Sequence, residues 1–572
     1  MINENELRKL WNELYEGQHQ DHLESFLAEL TQFAVTHKFE LSDPLWYKDA
    51  VIYSLYVDLF AQNFAGLEQK LDYLKDLGVD CLWLLPILDS PMNDAGFDIR
   101  RYDRVRLDLL GLAESSSDEE RQAVFRRFLK QAKERSIKVI FDIAINHTSI
   151  EHEWFQSSRR GEGSPYRDYY IWNKDDQKYK DCRLLFKGMC PSNWEKDGDG
   201  YFFHRFFEFQ PDLNYRNPAV LIAMVRNFLY WIGQGVDGFR ADAIPYLWKE
   251  EGTNCENLPK THTIIKFFRA TLDSARPGTL LLAEACQPPR EVVKYFGSND
   301  ECHAGYHFPL MPQIFKALGE ESRSPIKEVL SPEVTPQISE SAQWFLFLRC
   351  HDELTLEMVT SQEREFIHSH YCHDPRWDFR VGEGIAARLS ELFKKDPQKI
   401  GLAYSVMLTL PGTPIIYYGD EFGKLNDEDY YRAMKEKTGK NDTRYFVRGK
   451  VDWAQVNKDL ANGASFAAQV FARVKKQLQV RRQLSAFGKG AFSWVEAQDA
   501  SGAVNDHVLC YQRSHEDRSI LVLNNLSSKT QTIRLPAALQ LTGQEDLLGQ
   551  PLKLSAAGEV TLAPLSYHWC RL

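Results

Sequence analysis

The chain has 572 residues, 43% of them apolar and 26% charged, so it can bury large cores and is neither a disordered tail nor a disulfide-stapled mini-protein. Its 80 acidic residues against 69 basic ones give a net charge of −11, which argues against nucleic acid or an anionic membrane surface as the main partner. At about 100–200 residues per domain, two to four domains are expected, fewer if one is a large barrel.

The opening Met1-Ile2-Asn3-Glu4-Asn5-Glu6 is polar and acidic where a secretory signal needs a basic start and an apolar block. Behind it, Leu7, Leu10, Trp11 and Leu14, then Leu23, Phe26, Leu27, Leu30 and Phe33, keep helical spacing. They predict a short helical appendage over residues 1–44. From Val51 helices alternate with short apolar strands: helix Gly66 to Leu77 with strand Cys81 to Leu85, helix Asp118 to Glu134 with strand Lys138 to Ile143, and helix Ala219 to Ile232 with strand Val236 to Arg240. The alternation continues with helix Thr261 to Ala275 and strand Leu280 to Ala283, strand Trp344 to Arg349, helix Gly382 to Phe393, and strand Pro414 to Tyr418. Apolar strands joined by helices want a parallel sheet covered on its outer side, and a closed (β/α)8 TIM barrel over residues 45–147 and 205–455 satisfies this economically.

The segment Thr148 to His204 is too long and irregular for an ordinary connection, so it is expected to be an inserted domain walling one side of a site. The stretch Gly401 to Gly419 is broken by Pro411-Gly412-Thr413-Pro414 and reads as helix then strand, not as a membrane span. Residues 456–572 read as helix Ala464 to Val480 followed by an antiparallel β-sandwich with strands at His507 to Gln512, Ser519 to Leu523, Thr530 to Leu535 and Glu559 to Leu562. The ten cysteines are scattered without a C-x-x-C pair and read as reduced thiols of a cytoplasmic protein.

In such a barrel the site lies where strands end. One strand leads to Asp142, Asn146 and His147, one to Asp242, one to Glu284 and one to His351 and Asp352. Any one of these would ordinarily be a helix cap, a turn residue or a satisfied histidine. Together they deliver paired carboxylates to one face, as glycoside cleavage requires: one carboxylate ionised as nucleophile, one protonated as acid. Arg240, two residues before Asp242, points to the same side and would keep it ionised. Glu284 follows Leu280-Leu281-Leu282-Ala283 and is the candidate for a raised pKa.

The runs Asp142-Ile143-Ala144-Ile145-Asn146-His147, Gly238-Phe239-Arg240-Ala241-Asp242-Ala243, Ala283-Glu284-Ala285 and Arg349-Cys350-His351-Asp352-Glu353 resemble, in order and spacing, the four sequence regions of the α-amylase family of retaining glycosidases. The resemblance covers Leu45 to Leu572. It implies Asp242 as nucleophile, Glu284 as acid/base, Asp352 as the third carboxylate, His147 and His351 as donors to the same glucose unit, and Arg240 as the holder of the nucleophile. Within the family the chain looks most like trehalose synthases, on the run Pro245 to Pro259 and the segments His351 to Thr360 and Asp300 to His303.

It departs from their pattern at Cys350, at Cys286-Gln287-Pro288-Pro289 and at Val447-Arg448-Gly449-Lys450-Val451-Asp452-Trp453. Its opening Leu55 to Ala61 and helical N-terminus look instead like amylosucrases. Maltose or trehalose, sucrose, or a glucosyl polyol therefore stand as alternative small-molecule substrates, and a non-catalytic subunit is disfavoured by the three carboxylates. By the same resemblance Asp98, pinned by Arg448, is expected to hold the outer hydroxyls of the terminal glucose. Many relatives bind calcium, for which Asn146 and Asp212 are the candidate ligands. Lys249 stands where trehalose synthases have a glutamate ligand, so no cofactor is assigned.

Overall fold

A computed structural model describes residues 2–39, 43–186, 189–516, 518–539, 541, 543–555 and 558–572. Among them, eight parallel strands close into a barrel: β1 (Ile52–Leu55), β2 (Cys81–Leu84), β3 (Lys138–Ala144), β4 (Gly238–Asp242), β5 (Leu280–Ala283), β6 (Ala304–Tyr306), β7 (Gln343–Phe347) and β8 (Thr413–Tyr417). Each pairs with its neighbours in sequence, and β8 closes on β1 through Ile52 opposite Ile415. Short runs such as Cys81-Leu82-Trp83-Leu84 are buried throughout, as strands covered on both faces must be.

The outer helices carry their own boundary signals. Ser117 and Glu120 form a reciprocal capping box before Asp118–Glu134. Asn217 caps Pro218–Gln234, with Pro218 in the first turn and Gly235 ending the helix in the left-handed region. The N-terminal helices Glu4–Tyr15 and Gln20–Thr36 bury Leu7, Leu10, Trp11, Leu14, Leu23, Phe26, Leu27 and Leu30, and the Trp11 and Phe26 rings meet Phe267 of the barrel helix Pro259–Ala275.

The differences from expectation include one barrel strand and two helices. The strand β6 was not foreseen, because Ala304-Gly305-Tyr306 is too short and too poor in branched residues to signal itself; its neighbours β5 and β7 impose it. The helix expected from Gly382 to Phe393 does not form. Arg380, Val381 and Gly382 all have positive φ, and Gly384–Ile385 pairs with Leu354–Thr355 and Asp378–Phe379 in a small sheet, leaving only the turn Leu389–Leu392 helical. The helix expected from Gly66 to Leu77 is split into Phe64–Glu68 and Leu71–Leu77.

The insertion after β3 contains helix Glu153–Ser158 and a three-stranded sheet of Trp172–Asn173, Trp194–Asp197 and Gly200–Phe203. Helix Phe466–Arg481 packs on the barrel, with Gln477 and Arg481 donating to the Gly401 and Leu408 carbonyls of helix Pro397–Thr409 and its C-cap turn. The C-terminal β-domain then starts at Ala491. Its four-stranded and three-stranded antiparallel sheets enclose Val508, Cys510, Leu521, Leu523, Ile533, Val560 and Leu562. Among the described residues no helix is long and apolar enough to cross a membrane.

Candidate active site

The registers bring the carboxylates together. Ala283 lies opposite Ala241, so Glu284 emerges beside Asp242, and Ala144 lies opposite Asp242 on the other side. Arg240 fills the space between. Its Nη1 donates to Asp142 Oδ1 at 2.6 Å and to Asp242 Oδ1 at 2.7 Å, while Nη2 lies 3.9 Å from Glu284 Oε1. Trp83 and Tyr306 fix this arrangement, the indole donating to Asp142 at 2.9 Å and the tyrosine hydroxyl accepting from Arg240 at 3.2 Å. Glu284 accepts from the Ala243 amide at 3.1 Å. Burial pushes its pKa up to about 7, against the pull of Arg240 and with the nearby Asp242 charge adding to the rise.

Across the pocket, Asp352 is clamped from three directions. His351 Nε2 lies 3.0 Å from Oδ2, and Arg448 and Arg444 reach Oδ1 at 2.8 and 3.2 Å. Burial works against the Asp352 carboxylate, but these three groups outweigh it and hold its pKa well below the usual range. His147 is buried, and its Nε2 meets Gln210 Nε2 at 3.3 Å; the same Gln210 amide donates to Asp94 Oδ2 at 3.1 Å.

Asp242, Glu284, Asp352, His147, Arg240 and His351 all line this one pocket. Asp98 and Arg448 do not, and the expected pair between them is not formed. Asp98 is 0% exposed and turned back into its own loop, accepting from Ser90 Oγ at 2.8 Å and from the Asn93 and Asp94 amides at 3.0 and 3.2 Å. The reason is the reversal at Ala95-Gly96, both at positive φ, where a Cβ on Gly96 would meet Pro86 Cβ at 2.7 Å. That turn sends Asp94 into the pocket and Asp98 away from it.

Asp94 meets Arg444 at 3.7 Å, and Arg444 is in turn held by Asp442 at 2.6 Å. Arg448, one turn further along Thr443–Val447, lies behind Asp352 and donates to the His351 carbonyl at 2.7 Å. The motif Asp94-Ala95-Gly96-Phe97-Asp98 offered two aspartates of the same kind, and only the chain reversal distinguishes them. The remaining wall was not read from sequence. It includes Arg183, Phe186, Tyr246, Phe308, Glu357, Phe379 and Arg380, with Arg183 bound to Glu256 at 2.9 Å and to Glu357 at 2.8 Å.

The candidate calcium ligands do meet, but around a lysine. Lys249 Nζ lies 2.7 Å from Asn146 Oδ1 and 2.8 Å from Asp212 Oδ2. An ammonium between the two oxygens that would bind the ion does not fit calcium there. We expect prolonged chelation to leave melting temperature and rate unchanged, because the Lys249 ammonium already stands between these two oxygens. Lys249→Met, by contrast, strands the buried Asp212 charge and should cost about 3–5 kcal/mol of stability, read by denaturant unfolding. A melting temperature that chelation lowers and calcium restores would overturn this reading.

Carboxylates at adjacent strand ends of a (β/α)8 barrel, with an insertion after β3 and a C-terminal β-domain, define the class. The α-amylase catalytic-domain model matches residues 61–487, and the maltogenic amylase C-terminal-domain model matches residues 502–569. The chain belongs to the α-amylase family. It is 40% identical to the trehalose synthase/amylase of Mycobacterium tuberculosis, over 93% of this chain and 91% of that protein. It is 38% identical to the trehalose synthase of Pimelobacter sp., over 93% and 96% of the two chains. In fold it is similar to the trehalulose synthase of Pseudomonas mesoacidophila, with a TM-score of 0.69 at 22% identity over 93% of this chain and 100% of that one.

Proposed function

We propose that the protein is a retaining α-glucosidase or transglucosylase acting on short α-glucosides of the maltose and trehalose type. The observation that carries this is Arg240, whose guanidinium donates to Asp242 at 2.7 Å and sits beside Glu284, a carboxyl that burial raises to about 7. Asp242 then attacks the anomeric carbon as Glu284 gives its proton to the departing oxygen, leaving a covalent β-glucosyl ester. In the second step Glu284, now a base, takes the proton of the incoming hydroxyl, and the second inversion restores the α configuration. Asp352, kept ionised by His351, Arg444 and Arg448, accepts from sugar hydroxyls and supports the charge that develops on the ring.

The Asp94 and Arg444 pair stands at the pocket wall beside Asp352, where it suits the outer hydroxyls of a terminal glucose. Maltose, trehalose, sucrose and a glucosylglycerol, incubated separately with the protein and followed by chromatography of products, test the reading. Turnover of maltose or trehalose supports it. Turnover of sucrose alone would favour the amylosucrase-like alternative, and rapid cleavage of internal starch bonds would refute a terminal-glucose pocket.

The acid role of Glu284 also sets a pH dependence. The first step needs Glu284 protonated, so kcat/KM for a disaccharide should fall as pH rises through about 7, approaching about tenfold per unit above it. Glu284→Gln should remove this limb for a donor whose leaving group needs no proton. A pH profile flat from 6 to about 9 would exclude Glu284 as the acid.

A further inference from the structure

Three side chains of metal-binding type share one corner of the pocket. Cys350 Sγ, a ring nitrogen of His351 and a carboxylate oxygen of Asp352 all lie within 4.8 Å of one another. Consecutive residues of an extended chain point to opposite sides, so this meeting needs a turn. Buried arginines hold that turn. Arg349 donates to the Ala387 and Asp352 carbonyls, each at 2.7 Å, and Arg448 to the His351 carbonyl at 2.7 Å, while the Asp352 amide donates to Cys350 Sγ at 3.4 Å.

A set of one sulfur, one nitrogen and one oxygen selects zinc and similar thiophilic cations over calcium or magnesium. Two ligand atoms on one tetrahedral zinc stand about 3.3–3.6 Å apart, so side-chain shifts of about 1 Å close the set. The ligand atoms are also free to turn to an ion. Arg444 and Arg448 take Asp352 Oδ1, which leaves Oδ2 to His351, and His351 Nδ1 is buried without a hydrogen-bond partner among the described residues. All three residues line the pocket, where six acidic residues face four arginines, a balance that draws cations in.

We propose that Cys350, His351 and Asp352 form an inhibitory zinc site, at which the ion competes with the sugar for His351 and Asp352. The competition rests on the function proposed above, whereas the binding does not. The Cys350 sulfur bonds to the metal as its proton leaves to solvent, the imidazole binds as a neutral base, the Asp352 carboxylate binds ionised, and a water completes the tetrahedron. No electrons are transferred, and a chelator reverses the change.

The experiment adds cobalt(II), a coloured stand-in for zinc, to the whole protein and follows the near-ultraviolet charge-transfer band of a cobalt thiolate. One equivalent should give the band in the unaltered protein and in Cys286→Ala, the other pocket thiol, but not in Cys350→Ala. Zinc, which binds such donors more tightly, should erase it. Excess zinc should raise the apparent KM for the preferred disaccharide at least tenfold with kcat unchanged, and EDTA should restore it. Cys350→Ala, measured against its own zinc-free rate, should need at least tenfold more zinc for the same effect. A band that is absent, or that persists in Cys350→Ala, overturns the site whatever the substrate proves to be. A band that behaves as expected while zinc leaves KM unchanged, or lowers only kcat, overturns the competition with sugar. A protein that shows the band yet turns over no α-glucoside refutes the function above and leaves the metal binding standing.

Discussion

Asp242→Asn should lower turnover of any α-glucoside substrate by roughly 10³-fold or more, which corresponds to about 4 kcal/mol of lost transition-state stabilisation. The amide oxygen of asparagine can still accept from Arg240 Nη1, now 2.7 Å from Asp242 Oδ1, so the fold and melting temperature should hold. What disappears, under the proposed mechanism, is the nucleophilic carboxylate. A slow fluorinated α-glucosyl donor given to the unaltered protein should leave one sugar on the peptide carrying Asp242, read by mass spectrometry after proteolysis. Labelling of Asp352 or Asp142 instead would remove Asp242 from the role and with it the two-step scheme.

The second large effect is expected at the pocket wall. Asp94→Ala removes a carboxylate that suits two sugar hydroxyls, and charged hydrogen bonds of about 1.5–3 kcal/mol each imply a loss of roughly 10²-fold or more on disaccharides. Arg444→Ala should be worse, because the same guanidinium also reaches Asp352 Oδ1 at 3.2 Å. The double variant should fall well short of the product of the two single losses, since groups in one ion-pair network do not add. Asp98→Ala should behave differently. Leaving the Asn93 and Asp94 amides without their acceptor should cost about 1–3 kcal/mol of stability, with the rate changed only through the loop. Additive losses at Asp94 and Arg444, or rapid cleavage of a blocked-end oligosaccharide by the unaltered protein, would refute the capped pocket.

Local sequence was enough for most of the architecture. The helix periods at Asp118 to Glu134 and Ala219 to Ile232 and the apolar runs of β2, β3 and β5 are properties of neighbouring residues, and each announces its element without help from the rest of the chain. The carboxylates were legible for the same reason, since a strand that ends at Asp242 or Ala283 delivers the residue at its end to the barrel face whatever surrounds it. The strand β6 and the absent helix at Gly382 to Phe393 mark the boundary of that reasoning. In both, pairing with distant strands overrode the local preference.

What the tertiary structure alone decided is which of several like residues meets which. Asp94 and Asp98 differ only by the reversal between them, and Arg444 and Arg448 only by the turn of Thr443–Val447 that sets one at the pocket and the other behind Asp352. Lys249 reaches Asn146 across 103 positions of chain, and Cys182 of the insertion shares a buried cluster with Cys255. Side-chain period acts within a turn or two, whereas charge pairing and packing act through space, so their partners exist only once the barrel and its insertion have closed on each other.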